Sequence, residues 1–152
     1  MLMRLTRAGE YAIRCVLYLF EQEPNAVISR RDIAQAMHIP EPFLGKVAQQ
    51  LARSGIIEII QGPKGGYRLL VSAEELSLLD IIESVCGEIV LNDCVLHPEK
   101  CFRKGSCSVH RVWQEARQQL RSLLAQATFA SLLEDEHCLS PSALNQEQRK
   151  TE

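Results

Sequence analysis

The sequence lacks several features that would each have assigned it to a common class of protein. No apolar run exceeds about half a membrane span, and the opening MLMRLTRAGE has no hydrophobic region of the kind that a signal peptide needs. No CxxC redox pair, no glycine-rich phosphate loop and no serine or cysteine nucleophile motif is present. We therefore expect a cytoplasmic protein that neither enters a membrane nor acts as an enzyme.

The charge of the chain is unevenly distributed. The formal net charge at pH 7 is −2, but residues 1–70 carry nine Lys or Arg against six Asp or Glu, whereas residues 71–152 carry eight against thirteen. The first half is therefore the half that could meet phosphate groups, although so small an excess is weak evidence for nucleic acid by itself. With 152 residues and 46% hydrophobic composition, the chain can form one domain, or one domain with an appendage.

Three cysteines and a histidine are crowded into the segment CVLHPEKCFRKGSCSVH. Cys94, Cys101, Cys107 and His110 are separated by six, five and two residues. Three thiols and an imidazole form the donor set of a four-coordinate soft-metal site. In a reducing cytosol, clustered cysteines more often hold a metal or sense redox change than form disulfides. The segment predicts an iron-sulfur cluster, with a zinc site and a metal-free thiol switch as the alternatives.

The remaining cysteines are predicted to have no ligand role. Cys15 lies on the apolar face of a helix and Cys86 ends another apolar helix, so both are expected in the core. Cys138 lies beside a polar tail and has no partners in register. His97, next to Pro98 inside the cysteine segment, is expected to be solvated.

Apolar periodicity predicts three helices before residue 55. The first covers residues 7–22, and the second begins with a capping-box pattern and covers 29–37. Pro42 suits the first turn of the third, which continues to about residue 54. Because only residues 38–41 separate the second helix from the third, the pattern indicates a helix-turn-helix.

A hairpin pattern follows directly. Residues 56–60 form a continuous, mostly β-branched run, GPKGG at 62–66 is a turn, and YRLLV at 67–71 is a second strand. A hairpin after the third helix is the wing of a winged helix. Lys64 lies at its tip between glycines, where the backbone could approach a phosphate closely.

The outward face of the third helix is the predicted base-reading surface. Its buried stripe leaves six residues outward in or near the N-terminal half: Glu41, Pro42, Phe43, Lys46, Gln49 and Gln50. Glutamine can pair with adenine through two hydrogen bonds, and lysine can contact guanine or phosphate. Arg4, Arg7, Arg30 and Arg31 are better placed for phosphates. The predicted partner is double-stranded DNA with a palindromic operator.

Beyond the wing, a long amphipathic pattern runs from Val109 to Ala127, with Arg117 and Arg121 on its outward face. Its apolar stripe needs a partner. Because symmetric DNA readers are typically dimers, we expect this helix to join a homodimer. The predicted fold class is mainly α with a small β-hairpin wing: a winged helix-turn-helix DNA-binding domain over 1–90, a cysteine-rich cluster-binding loop over 91–110, a dimerisation helix region over 109–136 and a flexible tail over 137–152.

Four stretches together resemble a known family. MRLTRAGEYAIR at the start, the GPKGGYRL wing, the three-cysteine loop and the CSVHRVW run are similar to the bacterial winged-helix regulators of the IscR and NsrR type, the Rrf2 family. The resemblance covers nearly the whole chain up to about residue 136. It implies a homodimeric transcription regulator, a repressor, whose DNA affinity depends on an iron-sulfur cluster and responds to nitric oxide, oxygen, iron or cluster supply. An electron carrier of ferredoxin type is the rival function, but it would have no use for a wing.

The resemblance implies two candidates for the fourth ligand of the cluster. His110, followed by Arg-Val-Trp, matches the IscR type, which is associated with a 2Fe-2S cluster. Glu10 occupies the first-helix position at which NsrR-like members place a carboxylate that reaches the partner subunit's cluster. The gap between Cys94 and Cys101 is one residue longer than the commonest family spacing. A 4Fe-4S cluster is therefore an alternative to the favoured 2Fe-2S cluster. We predict His110 as the ligand and Glu10 as the alternative.

Overall fold

In the computed structural model, which describes residues 6–103 and 105–134, the chain begins with three helices and a hairpin. The helices are α1 (Arg7–Phe20), α2 (Arg30–Ala36) and α3 (Glu41–Arg53), and the antiparallel strands are β1 (Ile57–Ile60) and β2 (Gly66–Leu69). There follow α4 (Leu78–Cys86), α5 (Asp93–Leu96), a 3-10 turn at Pro98–Lys100, α6 (Ser108–Gln126) and α7 (Phe129–Glu134). This order confirms the predicted mainly helical fold with a hairpin wing. Arg4, Cys138 and the predicted tail over 137–152 lie outside the described residues.

Side-chain caps begin α1, α2 and α4. The Thr6 hydroxyl accepts a hydrogen bond from the Gly9 amide at 3.2 Å, and the Ser29 hydroxyl accepts one from the Asp32 amide at 3.1 Å. Ser77 opens α4 through a full capping box, since the carboxylate of Asp80 accepts from the Ser77 amide in return. Each cap satisfies amide groups that the first turn of a helix leaves unpaired.

The core lies where α1, α3 and α4 meet. Its fully buried side chains come from all three helices and from α2, α7 and β1; the largest include Phe129, Ile33, Leu44, Leu51, Ile57 and Ile81. The wing joins this core through residue 28, because the Ile28 amide donates to the Tyr67 carbonyl at 3.0 Å and the Tyr67 amide donates back at 2.8 Å. This short bridge ties β2 to the start of α2, so the wing and the helix-turn-helix are fixed to each other.

Two glycines in the wing are required by close backbone contacts. A Cβ at Gly65 would lie 2.1 Å from the Ile60 carbonyl oxygen, and a Cβ at Gly66 would lie 2.1 Å from the Ile28 carbonyl oxygen. Neither distance leaves room for a side chain. The glycines are therefore needed to form the hairpin and its bridge to residue 28, a reason that the sequence pattern alone did not provide.

After α6 the chain returns to the core between α1, α3 and α4, and this return was not predicted. Phe129 is fully buried, its amide donates to the Leu76 carbonyl at 2.9 Å, and its ring centroid is 5.5 Å from that of Phe20. The predicted dimerisation region, 109–136, therefore supplies a core residue to the winged-helix unit. The domain boundary near residue 90 stays a prediction. Within the two described ranges, no helix is both long and apolar enough to cross a membrane.

Candidate nucleic-acid interface and metal centre

α3 turns one face to the core and leaves the other exposed. Its buried residues Leu44, Val47, Ala48 and Leu51 fix the rotation of the helix about its axis. The predicted base-reading residues consequently lie at the surface: Glu41, Pro42, Phe43, Lys46 and Gln49 are exposed and Gln50 is half-buried. The structure brings these six together on one helix, and their contact with DNA stays a prediction.

Tyr11 of α1 extends the surface of α3. Its ring centroid lies 6.3 Å from that of Phe43, with the two planes inclined by 57°. The two helices border a depression of about 340 Å³ that Lys46 and Gln49 also line. Local sequence gives no signal for this contact, because it depends on how α1 crosses α3.

The predicted phosphate-binding arginines occupy different environments. Arg7 and Arg31 are exposed at the first turns of α1 and α2. The Nε of Arg30 lies 3.6 Å from an Oε of Glu41, so this guanidinium is paired across the helix-turn-helix. Arg30 therefore belongs to the surface of α3 as well as to the start of α2.

The wing presents one cation at its tip. Lys64 is exposed between β1 and β2. Below it, Arg68 donates to the carboxylate of its cross-strand partner Glu58 at 2.5 Å, which neutralises the charges on the body of the hairpin. Lys64 remains the wing residue best placed to approach a phosphate.

The four predicted cluster ligands lie on successive short elements. Cys94 is in α5, Cys101 follows the 3-10 turn, Cys107 is the N-cap of α6 and His110 is in its first turn; all four are half-buried. His97 is about half exposed and lies 3.3 Å from Glu99, as expected for a solvated histidine.

The donor set suits a soft metal or an iron-sulfur cluster by its chemistry, since three thiols and an imidazole are standard ligands for both. Within residues 6–103 and 105–134, no three Cys, His, Asp or Glu side chains lie close enough together to hold a metal ion. It is therefore the type and spacing of the donors, rather than their present positions, that identify this segment as a candidate metal centre.

Arg117 and Arg121 do not face outward, and that part of the sequence prediction was wrong. Arg121 pairs with Glu83 of α4, and Arg117 pairs with Glu88 while its Nε donates to the Ile89 carbonyl at 2.7 Å. Their side chains are only 28% and 21% exposed. Apolar periodicity misplaced them because the contact with α4 is made by a mixed face of α6. The pairs tie α6 to α4 and to the entry of the cysteine segment.

The other two described cysteines differ from each other. Cys15 is fully buried, as predicted, and burial raises the pKa of its thiol from 9.0 to about 12, so it stays protonated. Cys86 is exposed, and its predicted core position was wrong. It is the last residue of α4, where Gly87 ends the helix, and its sulfur lies 3.0 Å from the Thr6 hydroxyl. The apolar stripe of α4 ends at Val85.

Glu10, the alternative fourth ligand, is engaged within α1. Its carboxylate forms an ion pair with Arg14, one turn later, and its side chain is about half exposed. Arg14 also lies 3.4 Å from the Met37 carbonyl at the end of α2. In this structure Glu10 therefore has a partner on its own helix and lies apart from the cysteine segment in sequence.

α6 keeps an exposed apolar strip. Val109, Val112 and Leu123 are 53%, 58% and 67% exposed, and their helical spacing places them on one side. Trp113, Leu120 and Leu124, from the same predicted stripe, are half-buried. The winged-helix unit thus covers only part of the apolar surface of α6.

Comparison with known proteins places the chain among transcriptional regulators. It is 31% identical over 134 residues to the regulator NsrR of Geobacillus kaustophilus, covering 88% of this chain and 91% of the relative. A crystal structure of a Listeria innocua protein superposes with a TM-score of 0.74 at 28% identity and covers 90% of both chains. The oxidised form of Staphylococcus aureus CymR superposes with a TM-score of 0.68 at 26% identity and covers 91% of this chain and all of its own. The Rrf2 family model, described as an iron-dependent transcriptional regulator, matches residues 5–135, and the chain therefore belongs to the Rrf2 family.

Proposed function

We propose that this chain is a dimeric DNA-binding repressor whose affinity for a palindromic operator is controlled by an iron-sulfur cluster held by Cys94, Cys101, Cys107 and His110. The observation that carries the proposal is the attachment of three half-buried thiols and an imidazole, in one short segment, to a winged helix-turn-helix. The bound cluster would supply a centre sensitive to nitric oxide, oxygen or iron supply, and the imidazole would raise its reduction potential relative to an all-thiolate set.

A contiguous set of contacts supports coupling between the segment and the DNA-reading surface. Cys107 and His110 belong to the start of α6, which is held to α4 by the Arg121–Glu83 and Arg117–Glu88 pairs. α4 packs directly against α1 and α3. A shift of α6 on cluster loss would therefore reach α3 through packed elements, provided that the cluster binds the two conformations unequally.

The exposed strip of α6 supports the dimer. Val109, Val112 and Leu123 would be covered by the same strip of a second copy, since a twofold axis pairs identical surfaces. Two winged-helix units related by one twofold axis would then recognise two half-sites, which is the geometric reason for a palindromic operator.

The test is the ultraviolet-visible spectrum of anaerobically purified protein, with iron and sulfide counts and a gel shift with and without the cluster. We expect a coloured protein with equimolar iron and sulfide whose operator affinity changes when the cluster is removed. Colourless protein with stoichiometric zinc would mean that the cysteine segment holds zinc instead of a cluster. Coloured protein with unchanged operator affinity would contradict the sensing role.

A thiol switch is the second candidate, and the similarity to the oxidised form of CymR favours it. In that case the protein would contain no metal, and oxidation of a cysteine thiolate would change operator affinity reversibly. Metal-free protein whose affinity responds to peroxide and is restored by a thiol reductant would establish this candidate.

Lys64→Ala should weaken binding to every DNA sequence and reduce the salt dependence of binding by about one ion, because a lysine at the wing tip neutralises one phosphate. Gln49→Ala and Lys46→Ala should instead relax the preference at particular bases. Affinities measured across a salt series on several sequences separate the two effects, with Lys64→Arg as the charge-preserving control. Unchanged low-salt affinity in all three alanine variants would refute DNA binding through the winged helix.

A further inference from the structure

Gly45 is half-buried within α3, at a position where alanine would favour the helix more. A Cβ at position 45 would lie 3.5 Å from Nη1 of Arg30, an ordinary contact distance, so alanine would fit there while a longer side chain would meet the guanidinium. Glu41 lies one turn before Gly45 and Gln49 one turn after it, so the three share a face. The Arg30 guanidinium thus lies over the space that a side chain at 45 would fill.

Arg30 and Glu41 form an exposed pair on this face. The Nε of Arg30 lies 3.6 Å from an Oε of Glu41, and the two side chains are 55% and 47% exposed. Burial raises the pKa of Tyr67 in β2; Arg30 lowers it, while Cys15 and Glu41 act in the same direction as burial. Arg30 also follows closely on Ile28, which is bridged to Tyr67, so the pair joins the starts of α2 and α3 near the wing.

The chemistry of the pair suits a base edge better than a phosphate. The Glu41 carboxylate offsets the charge of Arg30 and would repel a phosphate oxygen, whereas Arg31 next to it is free of such a partner in the described part of the chain. In the major groove, guanine offers two acceptors that match an arginine fork, and its partner cytosine offers an amino donor that matches a carboxylate. An Arg–Glu pair therefore presents both halves of the recognition of one G·C base pair.

We propose that Arg30 and Glu41 together read one G·C base pair in each half-site, and that Gly45 keeps open the space in which Arg30 is held. This inference rests on the proposed function, since it needs sequence-specific binding to DNA. It assigns to Arg30 a role in specificity in place of the phosphate contact predicted from the sequence.

The experiment is selection of binding sites from a randomised duplex pool by the full-length protein, followed by affinity measurements on the selected site and its single-base variants. We expect the wild type to select a G·C pair that Arg30→Met no longer distinguishes, with the preference at that position falling by roughly 5- to 150-fold. Glu41→Ala should weaken the preference at the same position.

Three matched variants make the test specific. Arg31→Met should lower affinity for all sequences alike and leave the G·C preference intact. Gly45→Ala, whose methyl group fits at ordinary contact distance, should also retain the preference, whereas Gly45→Gln should lose it because the longer side chain takes the place of the guanidinium. Circular dichroism of each variant verifies folding.

The two levels of the proposal fail differently. If the wild type selects a site but Arg30→Met loses the same factor on every sequence, Arg30 is a phosphate contact and the inference is wrong while the regulator function stands. If the wild type selects no sequence at all, both sequence-specific DNA binding and the inference are wrong.

Discussion

Replacing Val112 and Leu123 together with aspartate should convert the protein from a dimer to a monomer and abolish tight operator binding. Both side chains are exposed on α6, so the variant should fold normally. In a dimer, the substitutions would bury unpaired carboxylates at a cost of about 3 kcal/mol or more, which is at least about 100-fold in affinity. Sedimentation at micromolar concentration and a gel shift on a palindromic site measure the two effects.

The matched control places the same charges on another side of the same helix. Gln114 and Gln118 are exposed and lie away from the apolar strip, so Gln114→Asp with Gln118→Asp should leave the protein dimeric. A wild type that sediments as a monomer at micromolar concentration would refute the dimer. Equal dissociation of both double variants would show a general charge effect instead of an interface.

Replacing any one of Cys94, Cys101 and Cys107 with alanine should abolish the coloured species and the response of operator binding to it, while the winged-helix unit stays folded. The three thiols are half-buried outside the main core, whose residues come chiefly from the first four helices and the wing. Spectra and thermal unfolding of each variant test this. Cys86→Ala is the control, because Cys86 is an exposed cysteine outside the segment and should keep the colour.

The fourth ligand can be identified with the same measurements. His110→Ala should change the spectrum and lower the reduction potential, because imidazole raises the potential of a cluster. Glu10→Ala should do much less, since Glu10 is paired with Arg14 on α1. Preservation of the wild-type spectrum in His110→Ala and its loss in Glu10→Ala would reverse the assignment in favour of the carboxylate.

The sequence was sufficient wherever structure follows from local chemistry. The capping residue Ser29 and Pro42 act through hydrogen bonds and backbone angles a few residues away, so α2 and α3 begin close to where they were predicted. The hairpin follows from β-branched runs around a glycine-rich turn. The spacing of the cysteines likewise defines a donor set without reference to the fold.

Contacts between distant segments could be read only from the tertiary structure. Cys86 has apolar neighbours in the sequence but lies beyond the packed stripe of α4. Arg117 and Arg121 are half-buried because they pair with carboxylates that come some 30 to 40 residues earlier. The return of Phe129 to the core depends on the length and direction of α6.

Periodicity, turn chemistry and donor type each act within a short window, and they were enough to predict the helices before the cysteine segment, the wing, the candidate base-reading residues and the candidate ligands. The position of Arg30 beside Glu41 and near Gly45, and the exposure of the strip at Val109, Val112 and Leu123, could be seen only in the folded chain. Both depend on how helices cross in space, and the burial of an amphipathic face does not encode that crossing in any single segment.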